Sequence, residues 1–484
     1  MAEGRRQKTD RHRKGTEMLV IELNRQNYEY DTQALVKAFF PEEQVEVLVP
    51  ESREDKRERL SKEVKVRVIV GEEGAEVFVA PELCRRIHPG GEETCGDFPA
   101  DAAEAGGIVV FKFRWSSGDE KTCKEGFKEY FYGILSRITG RQLPWGMLTG
   151  IRPTKIAYGM LEEGRSRQEI TEHYREKYFV SRRKAELAVD IAERERRLLS
   201  GVHYEDGYSL YIGIPFCPTT CLYCSFTSYP IAAYRKQVDE YLDCLLREAA
   251  FAAEQLRGKI PDSVYIGGGT PTTLEPEQME RLLGRLGELF DFSTLQEFTV
   301  EAGRADSITE EKLRVLRRSG VTRISVNPQT MKQETLDLIG RKATVAQVEE
   351  AFRLARRVGF DNINMDIILG LPGETSRDVE HTMERLVELS PDSLTVHSLA
   401  VKRASGLNRW IQENGTAMLR NTDETMEIAA AGAGRLGMAP YYLYRQKNMS
   451  GNLENVGYAR EGKYGLYNIL IMEEVQTIVA LGAG

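Results

Sequence analysis

The chain has 484 residues, of which 41% are hydrophobic and 29% are charged, and its formal net charge is −8. A chain of this length is longer than a single hydrophobic core usually organises, so we expect about two to four domains. The longest apolar runs are too short to cross a bilayer and no export signal is visible, which predicts a cytoplasmic protein without membrane association. The acidic balance disfavours a nucleic-acid partner, and the low, odd count of 7 cysteines disfavours a secreted disulfide framework.

Composition and patterning divide the chain into segments with different predicted structures. Residues 1–16 form a basic tail that we expect to be disordered, and residues 17–118 alternate like strands around one helical stretch, which predicts an α+β domain. Residues 119–205 have a helical pattern interrupted by proline and glycine, so we expect a helical connector. Residues 206–405 alternate strands with helices, and residues 406–484 form a mixed C-terminal region that looks truncated.

Six short apolar runs recur through residues 206–405, with helical stretches between them. This alternation predicts parallel strands that are joined by crossover helices. Six units indicate a partial (β/α)6 barrel rather than the eight of a closed barrel, and an open, doubly wound sheet is the alternative. The predicted fold class is therefore α/β, with the N-terminal α+β domain, the helical connector and a small C-terminal region attached to the barrel.

Three cysteines, Cys217, Cys221 and Cys224, cluster in the loop after the first predicted barrel strand. A structural zinc site usually takes four nitrogen or sulfur ligands, whereas three thiolates suit a 4Fe–4S cluster in which one iron lacks a protein ligand. A structural metal site or buried thiols is the alternative. His203 precedes the strand and should lie at its far end, and Cys244 occupies an apolar helix position, which predicts a core residue.

Residues that commonly bind ligands also follow the other barrel strands. In α/β barrels, reactive groups collect at the carboxyl ends of the strands. The second strand ends in the sequence GGGTPT, in which missing side chains let backbone groups approach a ligand closely. The later strands end at Glu301, at Gln329, near Asp366 and at residues 397–400. The sequence therefore predicts one functional site at this rim.

Five segments together resemble the radical S-adenosylmethionine (SAM) enzymes, namely CPTTCLYC, GGGTPT, VEAGRAD, RISVNPQT and NMDIILGLPGET. Within these enzymes the chain is similar to the oxygen-independent coproporphyrinogen III oxidase family, and LPWGMLTGIRPTKI resembles its HemZ-like branch. The resemblance implies that the three loop cysteines hold a 4Fe–4S cluster and that Tyr211, Gly268 and Glu301 contact the cluster-bound SAM. The resemblance leaves open whether one or two SAM molecules bind. A further set of residues matches positions that contact a second SAM molecule in relatives: Tyr223, Gly269, Thr270, Gln329, Arg341, Asp366 and Ala400.

The activity implied by the resemblance is oxygen-independent oxidative decarboxylation in anaerobic haem biosynthesis. A 5′-deoxyadenosyl radical removes hydrogen from propionate side chains of coproporphyrinogen III, which become the vinyl groups of protoporphyrinogen IX. The implied partners are the porphyrinogen substrate and an electron donor such as flavodoxin or ferredoxin, and no side chain is assigned a catalytic role. At the position two residues after the last loop cysteine, Phe226 matches the haem-chaperone branch of the superfamily rather than the oxidase branch. The alternative function is therefore a haem-binding chaperone or another haem-acting radical SAM enzyme.

The propionates of a porphyrinogen require cations near the mouth of the barrel. Arg304 follows Glu301 closely, and Lys402 and Arg403 follow the sixth strand, so these three residues are candidates for substrate binding. Ordinary surface charges in a solvated loop are the alternative interpretation.

Overall fold

The computed structural model describes residues 18–41, 43–80, 83, 102–105, 108–115, 119–150, 152–226, 228–402, 405–415, 418–446 and 453–483. The predicted N-terminal tail, Cys84, Cys95 and Arg403 lie outside the described residues. Two compact units are present, one comprising residues 1–149, 173–184 and 414–417, and the other residues 150–172, 185–413 and 418–484.

A search of the described helices finds no segment with the length and apolar character that a membrane crossing requires.

The first unit is an α+β structure, as its alternating sequence predicts. Its strands are β1 (Met18–Leu23), β2 (Gln44–Leu48), β3 (Val64–Val70), β4 (Gly74–Val79), β5 (Ala102–Ala105) and β6 (Ile108–Arg114). They form one six-stranded sheet in the order β2-β1-β3-β4-β6-β5. β1 is parallel to β2 and β3, whereas the β3–β4, β4–β6 and β5–β6 pairs are antiparallel.

Helices α1 (Glu29–Phe39), α2 (Glu54–Leu60) and α3 (Glu120–Thr139) complete this unit, with 3-10 turns at Gln26–Tyr28 and Ser61–Glu63. Period-two burial in β3 places Val66, Val68 and Val70 on one face, and α3 adds the buried Phe127 and Phe131 to the same core. The core therefore follows directly from the strand and helix periodicities of this segment.

The predicted connector is divided between the two units. α3 belongs to the first unit, and α4 (Thr154–Glu162) belongs to the second. Helices α5 (Arg167–Tyr178) and α6 (Arg182–Leu199) each contain residues of both units.

The second unit contains a nine-stranded sheet. The strands of this unit are β7 (Gly207–Ile214), β8 (Phe216–Cys217), β9 (Tyr229–Pro230), β10 (Ile260–Gly268), β11 (Glu297–Gly303), β12 (Arg323–Val326), β13 (Ile363–Leu369), β14 (Ser393–Ser398), β15 (Ala439–Tyr444), β16 (Asn455–Ala459) and β17 (Thr477–Gly482). The sheet order is β15-β16-β14-β13-β12-β11-β10-β7-β17, and β8 pairs separately with β9. β7 and β10 to β14 are the six consecutive parallel strands that the sequence predicts.

Helices follow the parallel strands as crossover connections. They are α7 (Ile231–Tyr234), α8 (Val238–Gln255), α9 (Pro276–Leu289), α10 (Glu310–Arg318), α11 (Gln333–Leu338), α12 (Val345–Val358) and α13 (Ser376–Leu389), with α14 (Gly406–Asn414), α15 (Asp423–Arg435) and α16 (Leu466–Glu473) after the sixth strand. Short 3-10 turns occur at Arg235–Gln237, Pro271–Thr273 and Ala305–Ser307.

The C-terminal residues extend the barrel sheet at both edges. β16 pairs antiparallel with β14 at one edge, and β17 pairs parallel with β7 at the other. Both pairings satisfy backbone groups that an edge strand would otherwise leave exposed. The sequence pattern describes this segment only as a small mixed region, because pairing between residues far apart in the chain has no local signature.

A polar network centred on the buried Asp262 lies at the amino ends of β7 and β10, and we call it the amino-end network: His203, Ser209, Asp262, Gln296 and Gln476. Asp262 is fully buried and accepts hydrogen bonds from His203 Nδ1 at 2.8 Å, His203 N at 3.0 Å, Gln296 Nε2 at 2.7 Å and Gln476 Nε2 at 2.5 Å. Ser209 Oγ donates to Gln476 Oε1 at 2.8 Å. The structure thus confirms the predicted position of His203 at the far end of the first barrel strand.

Candidate functional site

The three clustered cysteines lie in the loop that follows β7. Cys217 and Cys221 are buried and Cys224 is half-buried, and all three are free thiols. The short β8–β9 pair fixes the start of the loop, and Cys217 Sγ lies 3.4 Å from Thr270 Oγ1 at the end of β10. The Cys224 amide donates to the Cys221 carbonyl at 3.1 Å, which closes the second turn of the loop.

Hydrogen bonds to backbone groups connect the middle of this loop to other parts of the barrel. The Leu222 amide donates to the Ile339 carbonyl at 3.0 Å, and the Leu222 carbonyl accepts from the Leu407 amide at 2.8 Å. The Thr219 hydroxyl donates to the Gly340 carbonyl at 3.0 Å. Anchoring of this kind holds ligands in place before a cofactor binds.

Arg304 is a central part of the loop anchoring and does not face a substrate opening. Its side chain is only 4% exposed and pairs with Asp306 at 2.6 Å. Its Nη1 donates to the Thr219 carbonyl at 3.0 Å and hydroxyl at 2.9 Å and lies 3.7 Å from Cys221 Sγ. The expectation that Arg304 binds a propionate is therefore wrong, because its donors are already used inside the protein.

The thiols and their surroundings fit a 4Fe–4S cluster. Burial raises the pKa of the Cys217 and Cys224 thiols, so cluster assembly must displace protons from them. The Arg304 guanidinium next to Cys221 provides positive charge beside a ligand set that becomes anionic when bound. Three ligands leave one iron open for a small chelating molecule.

The glycine run after β10 is required by close packing. A Cβ atom on Gly267 would lie 2.8 Å from the Tyr265 ring and 3.1 Å from Glu301 Cδ, and Gly268 has a φ of +99°. A Cβ atom on Gly269 would lie 2.6 Å from the Phe216 carbonyl oxygen. The amides of Gly269 and Thr270 donate at 2.7 Å to Ile214 and Phe216, so their backbone donors hold the cysteine loop. Contact of Gly268, Gly269 and Thr270 with SAM stays a prediction.

Glu301 lies at the end of β11 among stacked tyrosine rings. The Tyr265 hydroxyl donates a hydrogen bond to Glu301 Oε1. The ring centroids of Tyr211 and Tyr265 are 6.2 Å apart, and those of Tyr265 and Tyr467 are 4.5 Å apart. Burial raises the pKa of Glu301 to about 7, and the nearby charge of Asp366 adds to this effect while Tyr265 opposes it. Burial likewise raises the pKa of Tyr211 to about 12.

Asp366, at the centre of β13, lies beside two polar side chains, those of Asn364 and His397. Asn364 Nδ2 donates to its Oδ1 at 2.6 Å, and His397 Nε2 lies 3.8 Å from its Oδ2. Tyr444 contacts the other ring nitrogen of His397 at 3.4 Å. Burial by itself raises the pKa of Asp366, but the nearby His397, together with the polar side chains of Asn364 and Thr395, outweighs burial, so the pKa is lowered. This carboxylate therefore stays ionised beside the more basic Glu301.

Gln329 and Arg341 leave polar atoms without partners in the described structure. Gln329 has a φ of +69°, an uncommon conformation for a residue other than glycine, and its amide donates to the Asp366 carbonyl at 2.9 Å. Arg341 donates to the Asn327 carbonyl and, at 3.2 Å, to the Tyr223 hydroxyl. Among the described residues, Gln329 Oε1, Asn327 Oδ1 and Arg341 Nε are buried and have no hydrogen-bond partner.

Unpartnered buried polar atoms are costly, and at the carboxyl ends of barrel strands they indicate a ligand that completes them. We call Glu301, Asn327, Gln329, Arg341 and Asp366 the carboxyl-end cluster. Its amide, guanidinium and carboxylate groups suit the hydroxyl, amino and carboxylate groups of SAM. Ala400 lies two residues beyond the end of β14 and is half-buried.

Comparison with known proteins agrees with this arrangement. The Radical SAM superfamily pattern matches residues 211–386. The chain is 42% identical over 377 residues to the oxygen-independent coproporphyrinogen-III oxidase-like protein HemZ of Bacillus subtilis, covering 75% of each chain. It is 38% identical to the heme chaperone HemW of Bacillus subtilis over 195 residues, covering 40% of this chain and 51% of HemW. It is 32% identical to the oxygen-independent coproporphyrinogen III oxidase of Escherichia coli over 215 residues, covering 44% and 47%.

The chain belongs to the HemZ-like family of radical SAM proteins. This membership implies a 4Fe–4S cluster and SAM as cofactors, and Cys217, Cys221 and Cys224 are the residues that would hold the cluster. The chain spans only about half the length of the HemW and oxidase relatives, whose names describe two different activities.

Sequence reasoning missed several residues of this HemZ-like site. Tyr265 shares the inward face of β10 with Gly267 and pairs in register with Tyr211, so strand alternation could have identified it. Tyr467 comes from α16 and carries no local signal. Cys244 is exposed rather than in the core, because the buried residues of α8 include Leu242 and Leu245, and Cys244 lies on the opposite side of the helix.

Proposed function

We propose that this HemZ-like protein catalyses the oxygen-independent oxidative decarboxylation of coproporphyrinogen III. The observation that carries the proposal is the convergence of three cluster-type thiols and a partly unsatisfied polar cluster at one end of the barrel. Similarity to the HemZ protein and to the Escherichia coli oxidase supports this choice of substrate.

When bound, the cluster and SAM would supply the radical chemistry that removes a hydrogen atom from the propionate β-carbon; loss of carbon dioxide and transfer of one electron to an external acceptor would then leave a vinyl group. The protein positions the reactants and excludes water. The stacked rings of Tyr211, Tyr265 and Tyr467 form an apolar wall beside Glu301. Glu301 accepts hydrogen bonds from a ligand when it is ionised.

We also propose which residues of the site contact SAM. Tyr211, Gly268 and Glu301 would contact the cluster-bound SAM. Arg341, with its unpartnered Nε, would bind a ligand carboxylate, and Gln329 and Asp366, which are joined by a backbone hydrogen bond, would contact the same ligand. Calorimetric titration of the cluster-loaded protein with SAM would give the stoichiometry, and loss of a second binding event in Arg341→Ala alone would identify a second SAM molecule.

A haem chaperone is the second candidate function. The observation that favours it is Phe226, which is 71% exposed two residues after the last cysteine. Similarity to HemW over the barrel region gives the same alternative.

Product analysis separates the two candidates. Under anaerobic conditions with dithionite and SAM, we expect 5′-deoxyadenosine release that increases with coproporphyrinogen III, together with protoporphyrinogen IX detected after oxidation. Cys217→Ala is the inactive control. Tight haem binding without consumption of porphyrinogen, tested with several reductants, would favour the chaperone and reject the oxidase.

A further inference from the structure

Three aromatic side chains next to the cysteine loop are exposed, and we call them the aromatic patch: Phe226, Tyr229 and Tyr234. They are 71%, 40% and 36% exposed, and the rings of Tyr229 and Tyr234 are in contact, with centroids 4.9 Å apart. Single exposed aromatic residues are common, but three within nine positions indicate a surface that contacts another molecule.

The aromatic patch is directly connected to the cluster cysteines. The Tyr229 amide donates to the Pro215 carbonyl at 2.8 Å, and β8 pairs Phe216 with Tyr229 and Cys217 with Pro230. At the other end of the loop, Phe226 lies two residues after Cys224 in the chain. A molecule seated on the patch would therefore be only a few bonds away from two of the three cysteines.

The charge around the aromatic patch differs from that of the whole chain. Residues 215–237 contain no aspartate or glutamate, although the chain carries a net charge of −8. Arg235 and Lys236 are exposed at the edge of the patch. Glu275 is the nearest acidic partner that the structure gives Arg235, at 3.6 Å, and both side chains are more than half exposed, so their pairing is weak.

We propose that the aromatic patch, with Arg235 and Lys236, is the docking surface for an acidic electron-donor protein. This proposal rests on the proposed function, because it requires a reducible cluster at the three cysteines. Aromatic residues provide contact area in the centre of an interface, and rim cations steer an acidic partner and speed its association. Small, transient interfaces of this kind are typical of electron-transfer partners.

The test uses cluster-loaded protein and a flavodoxin of net negative charge in its fully reduced form. Stopped-flow absorption would follow reduction of the cluster, and calorimetry would measure flavodoxin binding. For Phe226→Ala, and for the Arg235→Glu, Lys236→Glu double variant, we expect about tenfold slower reduction and about tenfold weaker binding. Reduction by dithionite should be unchanged. Added salt should slow the flavodoxin reaction of the wild type and of Phe226→Ala, but not that of the Arg235→Glu, Lys236→Glu variant, which lacks the steering cations.

Phe251→Ala is the matched control, because Phe251 is 65% exposed on α8, away from the patch. Wild-type rates with flavodoxin in the Phe226 and charge variants would overturn the docking surface while leaving the cluster intact. Loss of haem binding in Phe226→Ala with unchanged flavodoxin kinetics would assign the patch to haem and also overturn it. Failure of dithionite to reduce the wild-type cluster would instead reject the proposed function.

Discussion

The amino-end network and the carboxyl-end cluster of the second unit both contain buried polar side chains, but the hydrogen bonding of these two groups differs. In the amino-end network, the Asp262 carboxylate accepts four hydrogen bonds from His203, Gln296 and Gln476. In the carboxyl-end cluster, Gln329 Oε1 and Arg341 Nε are buried and without partners in the described structure. A network satisfied from within contributes to stability, whereas one left incomplete indicates a ligand.

Backbone conformation does not separate the two ends. Positive φ angles occur at Gln329 and Gly268 at the carboxyl end, and at Ser390 just before β14 at the amino end. The two ends therefore differ in how their buried polar groups are hydrogen-bonded. The comparison therefore predicts that changes at the carboxyl end reduce ligand binding, whereas changes at the amino end reduce stability.

The largest effect is expected at the cysteine loop. Replacement of Cys217, Cys221 or Cys224 with alanine should reduce iron from about four per chain to near zero, because three thiolates are needed to hold the cluster. Iron analysis and visible absorption after anaerobic reconstitution would measure this loss. Cys244→Ala is the control and should retain the full cluster, since this thiol is exposed on α8. A full cluster in the triple variant would refute the ligand assignment.

Substitutions in the amino-end network should lower the free energy of unfolding. Asp262→Ala leaves the His203, Gln296 and Gln476 donors without their acceptor, and we expect a loss of about 1–3 kcal/mol in unfolding free energy. Denaturant unfolding would measure it, with Asp262→Asn as the milder variant. The folded fraction should bind SAM with wild-type affinity. Weakened SAM binding without loss of stability would reverse the roles of the two ends.

Arg304 should affect how firmly the cluster is held. Arg304→Ala removes the bonds to Thr219 and leaves Asp306 unpaired, so we expect iron to be lost to a chelator about tenfold faster. Arg304→Lys should lose iron at an intermediate rate, because a lysine has a single ammonium group and cannot make the paired hydrogen bonds of a guanidinium group. Arg314→Ala is the matched control, since Arg314 is exposed and pairs only with Glu310 among the described residues. Equal iron loss in both alanine variants would remove Arg304 from this role.

Glu301 should make SAM binding depend on pH. Because its pKa is about 7, lowering the pH from 8 to 6 protonates the carboxylate and should weaken SAM binding by up to about tenfold. Anaerobic calorimetry on the cluster-loaded protein would measure the affinity. The Glu301→Gln variant has no titratable group at this position. Its affinity for SAM should therefore be low and should not change between pH 8 and pH 6. A pH profile for the variant that matches the wild type would place the titrating group elsewhere.

The smallest effect concerns a buried carboxyl outside both networks. Glu195 is fully buried, its two oxygens have no partners in the described structure, and burial followed by the charge of Glu473 raises its pKa well above the usual range. Stability from neutral Glu195 is present below the unfolded pKa near 4 and is lost as the pH rises towards the folded pKa. Glu195→Met should therefore stabilise by about 1 kcal/mol at pH 8 and less at pH 5.

Thermal unfolding at the two pH values would measure this effect, with Glu195→Gln as the uncharged polar control. An equal or larger gain at pH 5 would contradict the assigned cause.

Much of this architecture follows from local sequence signals. Period-two alternation identifies β3, and short apolar runs identify the barrel strands. The spacing of Cys217, Cys221 and Cys224 places the cluster loop after β7. These predictions succeed because backbone geometry ties strand and helix periodicity to burial within a few residues. The position of Glu301 near the end of β11 follows from the same signals. The sequence also places Asp366 near the end of its strand, but Asp366 lies at the centre of β13, because β13 continues to Leu369.

Other features depend on residues that are distant in the chain. β17 pairs with β7 across more than two hundred and fifty residues, Tyr467 joins the stacked rings from α16, and Arg304 turns inward to Thr219. Cys244 is exposed because the face of α8 that packs inward is chosen by its neighbours. Local sequence encodes which residues share a face, but the partners that satisfy that face are selected only when the whole chain packs and every buried polar group competes for a partner.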